Sequence, residues 1–218
     1  MSAHRPAPPP RPLLWGAWLV LLALAAPCAA GAQSTTGRVR GHVTLAVQGV
    51  RVGDLGPLVV YLEPADGRVV ALGSPAAETM HQRDARFAPS FLAIAAGQSV
   101  VMENDDAIYH NVFSFSKPNA FDLGLYPAGE SRTVTFRYAG VVRTYCSIHE
   151  SMNGTIFVSP SPYFTVVGRS GEFAWRSVPA GSWRLHSWCE RLPGATREVR
   201  VLAGQTVEAN LSIGEAAP

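Results

Sequence analysis

Lysine is almost missing from this sequence. Lys117 stands alone among 18 basic residues, and all the others are Arg. Charge is sparse as well: Asp, Glu, Lys and Arg together make up 16% of the chain. No run of basic side chains is present that could follow a phosphate backbone, which excludes nucleic acid as an expected partner. Cysteine is scarce, with 3 in 218 residues, so a small scaffold stapled by many disulfides is excluded. Helix signals are scarce too. Beyond the N-terminal region, no stretch is long and apolar enough to span a bilayer.

What is present at the N-terminus reads as a secretory signal. Residues 1–12 are Pro-rich and carry Arg5 and Arg11, and an apolar run follows over Leu13–Ala26. Small residues then lead to "AGA", Ala30–Ala32, before Gln33. That order predicts a signal peptide over residues 1–32, cut after Ala32, and a periplasmic or secreted product. An uncleaved anchor and a lipid on Cys28 are the alternatives, the second disfavoured by Pro27. Losing Arg5 and Arg11 would make basic and acidic residues equal in number, so the mature chain is expected to be formally neutral.

Short apolar runs alternate with Gly, Pro, Asn and Asp at about ten-residue spacing, which predicts an all-β sandwich or barrel. The clearest strand is "TVTFRY", with Val134, Phe136 and Tyr138 on one face and Thr133, Thr135 and Arg137 on the other. "VVRTYC" and "GTIFVS" read as strands flanking a short loop. The outer segments, residues 33–64 and 160–214, also read as strands. The later group alone would bury only a small core. The expectation is therefore a second small sandwich, discontinuous around a middle domain at 78–159. The competing arrangement is two consecutive domains, with residues 33–64 belonging to the middle one.

The chemistry concentrates in "YCSIHESMNG", where Cys146, His149 and Met152 stand three residues apart. A loop that short can aim a thiol, an imidazole and a thioether at one point. "ENDDAIYHNVFSFS" adds His110 between a polar corner and another apolar strand. Two imidazoles, a thiolate and a weak thioether are the donor set of a blue-copper site. A zinc site is a weaker reading, because Met is a poor zinc ligand. A Cys nucleophile with a His base would leave Met152 unused. A disulfide between Cys146 and Cys189, with His110 and Met152 merely packing, remains open. His42 and His81 are expected on strand surfaces. "HSWCE" sets His186 and Cys189 three apart, an echo of the same spacing; a free Cys189 is expected there, with a second metal site as the alternative.

"FAPSFLAIAAGQSVVMENDDAIYHNVFS", the turn "YPAGES" and "YCSIHESMNG" resemble the cupredoxin family in order and spacing, over about residues 80–158. The Cys-x-x-His-x-x-Met loop is similar to that of amicyanin, whereas plastocyanin has a longer step from His to Met. The resemblance implies a Greek-key sandwich, with His110, Cys146 and His149 as equatorial copper ligands and Met152 as the axial one. It also implies that Asn111 ties the two ligand segments together. Family members commonly carry Pro after the loop His, where this chain has Glu150. "GRSGEFAWRSVPAGSWRLHSW" and "GRVRGHVTLAV" resemble the carboxypeptidase regulatory-like, transthyretin-like module, with Gly171 and Gly181 in turns and Phe173, Trp175 and Trp183 in its core.

The function these resemblances imply is one-electron transfer by type 1 copper, with no substrate turnover. The expected partner is a redox protein, an amine-oxidising dehydrogenase or a cytochrome. Copper storage or delivery through the same ligands, and a scaffold with a vestigial site, are the alternatives.

Overall fold

In the computed structural model the described residues are 35–73 and 75–214; the expected signal peptide lies outside them. Among the described residues the fold is all-β, with one short 3-10 turn at Val52–Asp54. The strands are β1 (Thr36–Leu45), β2 (Leu58–Pro64), β3 (Glu78–Arg83), β4 (Arg86–Ala88), β5 (Phe91–Ala95), β6 (Ser99–Asn104), β7 (His110–Ser114), β8 (Phe121–Tyr126) and β9 (Ser131–Thr135). They continue as β10 (Gly140–Tyr145), β11 (Asn153–Ser159), β12 (Phe164–Val166), β13 (Glu172–Pro179), β14 (Gly181–Cys189), β15 (Thr196–Val201), β16 (Thr206–Glu208) and β17 (Leu211–Ile213).

Alternation of apolar and polar residues decides which face each strand buries. In β14, Trp183, Leu185, Ser187 and Cys189 are buried, while the residues between them are more open. In β10, Val142 and Thr144 turn inward and Tyr145 outward. Two sheets, β5-β11-β10-β7-β8 and β4-β3-β6-β9, enclose one apolar core that includes Met80, Met102, Phe136 and Ile156. Two further sheets, β12-β2-β14-β15 and β13-β1-β16 with β17 also on β1, enclose another that includes Val39, Leu62, Phe173 and Trp183. The chain passes from the second core to the first between β2 and β3, and returns between β11 and β12.

That return is possible because β1 is long enough to be shared. It pairs antiparallel with β13 along one edge and parallel with β16 and then β17 along the other. Gly41 marks the change of partner. A Cβ there would lie 2.2 Å from the Ala209 carbonyl oxygen, so only Gly allows the close approach.

The strand expected over "TVTFRY" is shorter than its pattern. It ends at Thr135. Phe136 is fully buried, but Tyr138 is 55% exposed. Backbone bonds explain the break: Phe136 pairs with Gly97 and Gln98 across the turn after β5. Beyond it, the side chain of Asn119 bonds both the N–H and the carbonyl of Tyr138 and draws the chain aside.

The two sandwiches meet through aromatic side chains. Trp188 packs on Phe157 with ring centroids 5.1 Å apart, and stacks on Phe91 at 5.9 Å. Tyr61 meets Phe157 at 5.4 Å. Arg143 adds an ion pair to Glu190 at 2.6 Å.

Candidate metal centre

Residues 146–152 connect β10 to β11, whose last and first residues, Tyr145 and Asn153, are paired across the ladder. The loop closes on itself. The Cys146 N–H donates to the Met152 carbonyl at 3.2 Å, and the Met152 N–H donates to the His149 carbonyl at 3.0 Å. This fold-back brings the Cys146 Sγ to 3.9 Å from the His149 Nδ1. From the start of β7, the Nδ1 of His110 reaches the same sulfur at 3.7 Å. The two imidazoles lie 4.8 Å apart and are inclined at 55°. His110 is fully buried, Cys146 is 5% exposed and Met152 1% exposed. His149 is the member of the group that reaches toward solvent.

Outer contacts orient both sides of this cluster. The His110 Nε2 meets a carboxylate oxygen of Asp106 at 2.7 Å. That bond directs the other ring nitrogen, with its lone pair, toward the sulfur. Asp106 is itself fixed by the backbone N–H groups of Asp84 and Ala85, at 2.6 and 2.9 Å. Burial acts to raise the Asp106 carboxyl. The Ala85 N–H, the His110 ring and the Asp84 N–H outweigh it and hold the group below the usual carboxylate range. On the Cys146 side, the Asn111 Oδ1 accepts the Ser147 N–H at 2.7 Å and the Ser147 hydroxyl at 2.9 Å. Behind His110, Tyr126 is paired across β7 and β8 and is fully buried. Burial pushes its phenol up to about 12. It accepts a hydrogen bond from Gln82 and donates to the Met102 carbonyl.

The donor set fits one metal ion. A sulfur about 2.3 Å and a nitrogen about 2.0–2.1 Å from a common centre in a trigonal plane stand about 3.7–3.8 Å apart. The observed sulfur-to-nitrogen separations are 3.7 and 3.9 Å. The disulfide alternative meets the opposite geometry: Cys146 and Cys189 are both free and lie in different cores.

The other candidates are placed elsewhere. His42, on β1, bonds the Ser170 carbonyl at 2.6 Å. His81 on β3 forms a half-exposed group with Glu103 and Asp105. Arg83 already supplies a cation to that group, at 2.6 Å from Asp105. His186 stacks on Tyr61 and bonds Thr196, while the Cys189 thiol meets the Leu192 carbonyl at 3.5 Å. The sequence reading missed Asp106 and the hydroxyl of Ser147. The signal for Asp106 was its position four residues before His110, at the end of the Asn-Asp-Asp corner. Ser147 carried none, since its partner Asn111 is distant in the chain.

No family model and no curated protein matches this sequence. Solved structures similar to part of this chain include cupredoxins. A purple cupredoxin from Nitrosopumilus maritimus is 24% identical over 38% of this chain and 99% of its own, with a TM-score of 0.34. A Cu(I) form of an amicyanin variant is 21% identical over 40% of this chain and 87% of its own, with a TM-score of 0.36. A copper-containing nitrite reductase from Thermus scotoductus SA-01 is 24% identical over 54% of this chain and 28% of its own, with a TM-score of 0.37. The architecture of the described residues is all-β with several sheets, arranged as two sandwiches.

Proposed function

We propose that this chain is a periplasmic or secreted type 1 copper protein that carries single electrons between redox partners and turns over no substrate. The observation that carries the reading is a buried, unpaired thiol facing two imidazole nitrogens at 3.7 and 3.9 Å, with Met152 buried beside it. Copper held there would supply a Cu(I)/Cu(II) couple. His110, Cys146 and His149 would be its strong ligands and Met152 a weak fourth.

The remaining work belongs to the protein. Asp106 sets the tautomer of His110. Asn111 fastens the Ser147 backbone and so fixes the start of the loop beside the thiolate. Burial keeps water from His110 and Cys146. The loop lies between two paired strands, which favours a closed, preformed site over one that opens to hand metal on. His149, partly exposed and flanked by the exposed Ile148, is the exit for the electron toward a redox protein, an amine-oxidising dehydrogenase or a cytochrome. The second sandwich is proposed as a regulatory-like module, discontinuous in sequence around the copper domain.

The test is the visible spectrum of the full chain after Cu(II) loading. An intense thiolate-to-copper absorption that bleaches on reduction is expected, and a colourless loaded protein overturns the reading. Electron transfer is then separated from storage or delivery by two rates. Stopped-flow reduction by a redox protein should be far faster than loss of Cu(I) to a competing chelator.

A further inference from the structure

The outer face of the β5-β11-β10-β7-β8 sheet is covered at one end and open at the other. Pairing registers set Phe91, Thr155, Phe157, Arg143, Tyr145, Phe113 and Asp122 on that face. At the β5 and β11 end, Trp188 covers Phe91 and Phe157. At the β7 and β8 end, Phe113 packs edge-on against Phe115, with centroids 5.2 Å apart, and Phe115 is 80% exposed. Tyr145 lies 5.8 Å from Phe113 on the other side.

Phe113 and Phe115 border a pocket of about 280 Å³ lined also by Asn111, Phe121, Asp122 and Ser147. Its polar character has one sign. Among the described residues, Asp122 is the only ionisable one lining it. The Asp122 Oδ1 accepts the Gly124 N–H at 2.9 Å, while Oδ2 receives no hydrogen bond from the described residues. Asp122 stands directly opposite Phe113 across the ladder, so carboxylate and ring share one face.

We propose that this pocket binds a small organic cation of the alkylammonium type. The Phe113 and Phe115 rings offer π faces and edges to its methyl or methylene groups, and the free Asp122 oxygen offers the counter-charge. A methylated ammonium is weakly hydrated, so it loses little on entering a half-open aromatic pocket. An uncharged ligand would gain from the rings but nothing from Asp122. The assignment does not depend on what the Cys146 cluster holds, and its test needs no metal.

The experiment follows the ring signals of Phe113, Phe115 and Phe121 by NMR in the copper-free full chain, at constant ionic strength. Choline chloride is the probe, and 3,3-dimethylbutan-1-ol, of the same shape and uncharged, is the comparison. Saturable shifts with choline are expected, with the alcohol binding about fivefold more weakly or worse. Asp122→Asn should weaken choline about two- to fivefold and leave the alcohol unchanged. Phe115→Leu, which keeps an apolar side chain at an exposed position, should weaken choline by a similar factor. Equal affinity for the two probes, an unaltered response in Asp122→Asn, or no saturation below about 100 mM overturns the proposal. Tighter binding of N-acetyl-lysine methylamide than of choline overturns the small-molecule assignment, because the occupant is then a lysine of another protein.

Discussion

Cys146 and Cys189 make a controlled comparison within one chain. Both are buried, both are free, and each has a His three residues away. One thiol faces two imidazoles; the other meets only a backbone carbonyl. The difference lies in the backbone between the thiol and its His. His186 and Cys189 both lie on β14, where a step of three residues puts side chains on opposite faces. His186 therefore leaves the core that Cys189 enters. It stacks on Tyr61 at 5.0 Å and lies 3.2 Å from Glu63. Burial pushes the His186 imidazole down, while Glu63 pulls the other way. Cys146 and His149 instead straddle a loop that folds back through two backbone hydrogen bonds, so the same step of three brings the side chains together. Spacing identifies a site only when the local conformation is known.

Substitution at the two thiols should break the comparison most sharply. Cys146→Ser is expected to abolish the visible absorption of the copper-loaded chain, and Cys189→Ser to leave it intact. Loss of colour in both would mean that the second sandwich contributes to the site. The next largest effect concerns stability. Trp183 is fully buried in the core of the second sandwich, and its indole N–H donates to the Pro179 carbonyl at 3.0 Å. Trp183→Ala should cost about 3–5 kcal/mol in chemical denaturation. If the sandwiches unfold as one unit, the copper absorption is lost at the same denaturant concentration.

Asn111→Ala should have an intermediate effect. It removes the acceptor of two hydrogen bonds from Ser147, at a cost of about 1–2 kcal/mol. It should also speed Cu(I) release to a chelator, whereas Thr196→Ala, which removes the corresponding partner of His186, should not. The smallest effect is expected at the contact between the sandwiches. The hydrogen bond from Arg143 and its charge hold Glu190 below the usual carboxylate range. The pair thus stabilises the fold above about pH 4.3, the ordinary Glu value, and its contribution fades as pH falls through the lowered one. Both partners are well exposed, at 36% and 57%, so Glu190→Gln should change stability at neutral pH by less than about 1 kcal/mol. A larger loss would show that the pair, more than the Trp188 contacts, joins the two sandwiches.

The sequence by itself determined the all-β class, because alternating apolar residues punctuated by Gly, Pro and Asn suit little else. It also named the residues of the candidate site. A thiol, an imidazole and a thioether confined to seven residues are brought together only because the loop folds back through its own backbone hydrogen bonds, which the same step of three along β14 does not do. The length of "TVTFRY" was not legible there, since Asn119 and the turn at Gly97 end that strand from outside its own segment. Tertiary structure alone decided that His110 turns Nδ1 toward the thiol, because Asp106 must be held by β3–β4 backbone before it can take Nε2. The family resemblance had implied that Asn111 ties the ligand segments together; tertiary structure alone decided that its Oδ1 takes the Ser147 hydroxyl as well as the N–H, across 36 positions. And it alone decided which end of one sheet Trp188 covers and which end stays open beside Phe113. A strand's alternation sets the face on which a side chain stands, but what lies against that face is decided by distant parts of the chain.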